Sequence, residues 1–340
     1  MKSSGNGDTR QHTTVEGDDA VLARRMLDSL LGGRPERLLR CGSQLCLATP
    51  RGLEVIAAKA YARQLRVDTG CRLLDAAETS GGALLLDETG LVARWIPGEP
   101  LQAIDRPAAT RFRRMVACGD RYLLGRGRKL QLHDANTGET LAVGIIDLPG
   151  RLSALCLDRS GDILAARSQT LALVGREGDR LVQKSLCSLG DGEILAAALT
   201  IPDPGSPPLV VAFDEFGWLF TLAVDDQGRL HKVGSIDLEL DGGVPERAGL
   251  FCDGPHVIVA SGTRLVHLVD LRPPTGQQDP VLMATASVGT CLADVVADDQ
   301  YVFLADAYQG LVVVARSLLE ICHDDPVARK VAIIDPDDVL

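Results

Sequence analysis

The chain has 340 residues, of which 46% are hydrophobic and 24% charged, and a net charge of −11 from 46 acidic and 35 basic side chains. This is ordinary globular composition, and its negative field excludes a phosphate-tracking nucleic-acid binder, which needs a dominant basic surface. No run approaches the roughly 18 uninterrupted apolar residues of a membrane-spanning helix, so neither nucleic acid nor membrane insertion is expected.

Residues 1–18 are polar, without periodicity and without the apolar core of a secretory leader, and they read as a disordered tail. Nine cysteines occur without any CxxC spacing. With no export signal, reduced thiols in a cytoplasmic compartment are expected. Residues 19–34 read as a short amphipathic helix that Asp18 or Asp19 caps and Gly32-Gly33 ends. Leu22, Met26 and Leu30 share its apolar face.

From residue 35 to 340 the chain repeats one pattern: an apolar run, a tight turn and a second apolar run. ALLLDETGLVARW from Ala83, LVVAFDEFGWLFTL from Leu209 and YVFLADAYQGLVVV from Tyr301 show it plainly. The first unit reads as four short strands, RLLRCG, SQLCLATP, GLEVIAA and RQLRVDT. Further units begin near Arg72, Phe112, Arg151, Glu193, Arg247 and Leu292. Turns between second and third strands align at residues 52, 90, 127, 170, 217, 263 and 310, with steps of 37 to 47 residues. Such a period is that of a four-stranded blade. A lone antiparallel sheet cannot bury both faces, whereas blades stacked about an axis give each sheet two neighbours. The expected fold is therefore all-β: a seven-bladed β-propeller of four-stranded antiparallel blades, preceded by the short N-terminal helix. The last unit has its own outer strand in KVAIID from Lys330, so the N-terminal strand is expected to stay in the first blade.

LQLHDANTGETLAVG (Leu130–Gly144) resembles the outer part of a WD repeat, with His133-Asp134 where that family often has Trp-Asp. LVHLVDLRPPTG (Leu265–Gly276) is similar, with Val269-Asp270. YVFLADAYQGLVVV resembles the LVIVD-type propeller repeat. The resemblance spans nearly everything after residue 35, although no unit carries both the Gly-His and the Trp-Asp pair. It implies a rigid platform for other proteins.

Cys41, Cys118, Cys156 and Cys252 recur near the ends of first strands. They form either a thiol cluster round the axis or small apolar packing in a crowded place; ligand spacing is absent, and packing is the reading taken. Arg37, Arg72, Arg113 or Arg114, Arg151 and Arg247 stand where first strands begin. They serve either an anion at the channel mouth or, as taken here, pairs with Asp75, Asp105 or Asp294. Phe216 and Tyr308 occupy turn tips at matching positions, with Trp218 close by, and exposed aromatics on a rigid face are typical interface anchors. Glu88 and Glu215 make parts of the same face acidic, beside Asp87, Asp214 and Asp306. Arg126 and Arg128 make another part basic, a mixture that suits docking to a particular protein.

No Walker loop, GxGxxG, GxSxG elbow, HExxH or CxxCH occurs. His323-Asp324-Asp325 reads as a solvated loop. A calcium-dependent lactonase propeller would need Asn near the axis, but Asn6 lies in the tail and Asn136 in an outer turn. No catalytic, metal-binding or cofactor-binding residue is assigned. The expected role is a non-enzymatic scaffold or accessory subunit that contacts other proteins within a larger complex. Its contacts are Phe216, Trp218, Tyr308, Glu88, Glu215, Arg126, Arg128, Leu22, Met26 and Leu30. The alternative is a propeller hydrolase or lyase, or a small-ligand sensor, with its site at the channel mouth.

Overall fold

A computed structural model describes residues 34–57, 63–105, 112–148, 150, 152–158, 161–241, 243–272, 279–288, 290–320 and 332–333. The expected tail, the N-terminal helix with Leu22, Met26 and Leu30, Arg151 and His323-Asp324-Asp325 lie outside these residues.

Within each sheet, sequence-consecutive strands pair antiparallel. Residues 37–68, 73–105 and 194–237 each form a four-stranded sheet. Four strands of 114–145 and four of 152–188 also form antiparallel sets, joined at their outer edges by one parallel pairing of Val143 with Arg180. Residues 249–287 contribute four strands, and 292–315 three. The first strands of successive sheets lie side by side in chain order, and that of Leu292–Ala297 returns to that of Arg37–Cys41, so the array closes on itself.

The strands read as nearly continuous apolar runs because both faces of every sheet are covered. In Ile163–Arg167, Ile163 and Ala165 pack toward Leu123 and Leu132 of the preceding sheet. Leu164 and Ala166, pointing the other way, pack toward Val210 and Ala212 of the following one. This two-sided alternation follows from the period of two along a strand. At the closing seam, Leu38, Leu45, Leu47 and Ile56 pack against Phe303, Ala305, Leu311 and Val313. The first strand stays with residues 44–68, as expected, and among the described residues the seam exchanges no strand.

The last outer strand corrects the sequence reading. Ala332–Ile333 pairs parallel with Val281–Ser287 of the preceding sheet, at Ala286↔Ala332 and Ser287↔Ile333. After Gly310–Ala315 the chain enters a short helix, Arg316–Glu320, instead of a hairpin turn. Buried Leu319 packs that helix into the cluster holding Ala284 and Ala286, which carries the chain toward the neighbouring sheet.

The turns between second and third strands fall where the sequence placed them. Gly52, Gly90, Gly127, Gly217 and Gly310 all have positive φ. Where the aligned position lacks glycine, the left-handed residue shifts back to Gly262 in one turn and to Ser168, at φ 48°, in another. An aspartate secures several of these turns. Asp87 Oδ1 accepts the Thr89 and Leu91 N–H groups, and Asp214 Oδ1 those of Phe216 and Trp218. Asp306 Oδ1 accepts the Tyr308 and Gln309 N–H groups at 2.8 Å. Its Oδ2 accepts from Thr290 N and Cys291 N in the preceding link, so it holds link and turn together. The sequence reading counted Asp87, Asp214 and Asp306 as surface acidity; all three are buried because the turn backbone surrounds them.

Replacing Asp306 by Ala leaves several backbone donors without their acceptor, and a loss of about 2–4 kcal/mol is expected in denaturant unfolding. Asp306→Asn keeps one acceptor oxygen and should lose less. Equal stability of the alanine variant and the parent would refute the clamp.

Candidate functional site

The first strands surround an axial cavity of 540 Å³. Counting back from the first hairpin of each sheet brings equivalent residues to one level: Arg37, Asp75, Arg114, Ala154, Ala196, Gly249 and Asp294. Half the circle carries alternating charges in the order Asp294, Arg37, Asp75, Arg114, and the other half carries the three smallest side chains. Crowding explains the small half. A Cβ on Gly249 would sit 2.6 Å from Asp294 Cα.

The charged half is a connected network. Arg37 Nε donates to Asp75 Oδ1 at 3.1 Å. Asp75 Oδ2 accepts Met115 N–H at 2.9 Å, and Asp294 Oδ2 accepts Leu38 N–H at 3.0 Å across the seam. Asp75, chiefly, holds the Arg37 guanidinium above its ordinary range. Burial pushes the Asp294 carboxyl up, against the pull of Arg37 and of the Leu38 and Val295 N–H groups. The sequence reading paired strand-start arginines with Asp75, Asp105 or Asp294. Arg37 follows it, but Asp105 instead accepts from the Tyr122 hydroxyl at 3.0 Å and lies 3.2 Å from His133 Nδ1. Arg247 crosses the mouth to Glu36 at 3.0 Å, and Arg114 lines the cavity.

The recurring cysteines sit toward the far ends of the first strands. Cys41 donates to Gly82 O at 3.3 Å. Burial pushes the Cys156 thiol up to about 11 and the Cys252 thiol up to about 12, so both are protonated near neutrality and suit packing. Among the described residues, no group of His, Cys, Asp and Glu is arranged to hold a metal ion.

Around the mouth, the turns between second and third strands and the links into first strands share one rim. Hydrogen bonds such as Leu73 N–H to Pro50 O, Ile194 N–H to Ser168 O and Glu215 N–H to Glu193 O join them. Phe216 is 54% exposed, Trp218 39% and Tyr308 56%. Trp218 stacks beside Phe220 at 6.4 Å, and Arg34 lies over the Tyr308 ring at 4.5 Å. Glu215 is brought next to Phe216, where its Oε1 accepts Glu193 N–H at 3.0 Å. Glu88 is exposed on a distant turn. Arg126 and Arg128 lie on a third turn, with Arg128 ion-paired to Asp147.

The sequence reading missed Val244, which is 69% exposed and lines the cavity together with Glu193, Glu215 and Glu246. An apolar residue alone in the Gly- and Pro-containing segment DGGVPER was its only signal.

No family model and no curated protein matches the chain. Solved structures do. A chain of the mitotic checkpoint complex matches with a TM-score of 0.67 at 10% identity, over 93% of this chain and 96% of that one. The C-terminal WD40 domain of Sif2 matches at 0.59 with 14% identity, over 81% and 78%. The computationally designed Ika8 protein also reaches 0.59, at 11% identity over 84% and 96%. The fold is a WD40-like β-propeller. At these identities the likeness fixes the architecture alone, and the LVIVD-type resemblance gains nothing from it.

The axial network of the propeller yields a pH-dependent expectation. Arg37→Met leaves two buried carboxylates without their cation, a change worth about 3–5 kcal/mol. An acid whose folded pKa is raised contributes stability at low pH and loses it as pH rises through that value. Removing Arg37 pushes Asp294 further up, so denaturation of the variant should show a larger deficit at pH 8 than at pH 5. A deficit independent of pH would count against the network.

Proposed function

We propose that this chain is a seven-bladed propeller acting as a non-enzymatic platform for other proteins in a cytoplasmic assembly, through the rim around its axial cavity. The observation carrying this reading is the grouping of exposed Phe216, Trp218 and Val244 with Glu193, Glu215 and Glu246 in one sector. Large aromatic surface is favourable to desolvate against a partner, and the carboxylates beside it select a basic, apolar segment. The likeness to the WD40 domain of Sif2 and to a chain of the mitotic checkpoint complex supports a role in protein contacts.

A hydrolase or sensor at the channel mouth finds less support. Arg37, Asp75 and Asp294 are committed to one another and to backbone N–H groups, which leaves them little capacity to serve as acid, base or anion clamp.

In affinity purification from the native host, Phe216→Ala with Tyr308→Ala should lower recovery of copurifying proteins at least tenfold while Tm stays within about 2 °C of the parent. Glu215→Lys should act in the same direction by reversing the local charge. Unchanged recovery with both variants would remove this rim from consideration.

A further inference from the structure

Arg167 ends the strand Ile163–Arg167, pairs with Leu152, and precedes the left-handed Ser168. It is only 6% exposed, and its Nε and Nη1 are buried with no hydrogen-bond acceptor among the described residues. Burial pushes its pKa down, and the charged neighbour acting on it, Arg128, is another cation that pushes the same way.

Its surroundings are built closely. A Cβ on Gly125 would meet Leu152 Cδ2 and, at 2.8 Å, Leu155 Cδ1. The Arg126-Gly127-Arg128 turn is therefore pressed against the strand that pairs with Arg167. Arg126 is exposed on that turn, and Arg128 is held by Asp147 at its outer side. A buried guanidinium without a counter-charge is costly, and an apolar side chain of similar volume would serve packing better.

We propose that Arg167 is the fixed cation of an oxyanion pocket on the propeller rim, flanked by Arg126 and Arg128, and that it receives a phosphate or carboxylate group carried by a peptide segment of the docked partner. This rests on the docking reading above, because Arg167 leads into a turn between second and third strands, on the same rim as the turns of Phe216 and Tyr308. Guanidinium donors suit both oxyanions through charge-assisted hydrogen bonds. Three cations with one internal carboxylate favour the doubly charged phosphate.

The test uses the purified full chain at constant ionic strength, in calorimetric titrations and thermal melts. The probes are inorganic phosphate, the pentapeptide Gly-Gly-Glu-Gly-Gly, and its analogue with phosphoserine in place of the glutamate. All three should bind the parent saturably, the phosphopeptide more tightly than the glutamate peptide, and each should raise Tm. Arg167→Met should melt in chloride at or above the parent and bind the phosphopeptide at least tenfold more weakly. No binding to the parent, or equal binding to parent and variant, overturns the pocket. Binding of inorganic phosphate without either peptide overturns the peptide source. Should Arg167→Met fail to fold, Arg126→Ala with Arg128→Ala replaces it, and undiminished phosphopeptide binding there overturns the proposal. Phe216→Ala with Tyr308→Ala should retain phosphopeptide binding. Failure of the docking reading, seen as unchanged partner recovery in that variant, is thus distinct from failure of the pocket.

Discussion

Among the described residues the first and last sheets share no strand, so there the backbone ladder does not join the two ends of the ring. Closure depends on side chains, and the most directional of these contacts is Asp294 reaching across the seam to Leu38 N–H. The same pattern recurs two sheets along, where Asp75 accepts Met115 N–H, and Arg37, on the sheet between, stands between the two carboxylates. The apolar seam of Leu38 and Leu47 against Phe303 and Val313 supplies the larger share of attraction, since burial is non-directional and scales with area. A directional bond at the axis adds what area cannot: it fixes how far one sheet slides on the next. At the other end of the same strand, Arg40 Nη1 donates to Ala297 O, a second contact across the seam.

A related economy governs the rim. The carboxylate that folds a turn also aims the aromatic beside it, since Asp214 accepts Phe216 N–H and Asp306 accepts Tyr308 N–H. An exposed ring on a turn fixed in this way loses less freedom on binding than one on a loose loop, which favours affinity. The clamps sit below the surface and the rings above it, so the scaffold and the contact surface are separable although they share a turn. That separation lets turns of one geometry carry Phe216 in one place, Tyr308 in another and two arginines in a third.

The sheet array was legible because its signals are local. Apolar runs of strand length and glycine at tight corners repeat at one period, and five of the aligned corners have glycine at positive φ. What required coordinates was long-range. Asp87, Asp214 and Asp306 look like surface acid in a string of letters, and only the fold shows them enclosed by their own turns. The outer strand after residue 320 was assigned to its own unit because sequence order is the default; the short helix with Leu319 redirected it. The alternating charges at the axis were half visible, since strand-start arginines were expected to pair with Asp75, Asp105 or Asp294, but which arginine meets which carboxylate depends on how the sheets meet across the seam.

Two arginines of this propeller, one half-buried and one buried, invite comparison. Arg37 has Asp75 in contact and Asp294 close by, and its charge is held in place by both. Arg167 is more deeply covered, yet its charged neighbour is Arg128, and Nε and Nη1 find no acceptor among the described residues. The chain has the means to neutralise a half-buried guanidinium, for Asp75 and Asp294 in the adjacent sheets do so at the axis. At the rim the charged neighbour is a second cation. A scaffold assembled for stability alone would place an apolar residue or a carboxylate there. The arrangement makes physical sense when the missing negative charge arrives from outside, and its location beside the aromatic turns places that arrival on the surface where a partner would sit.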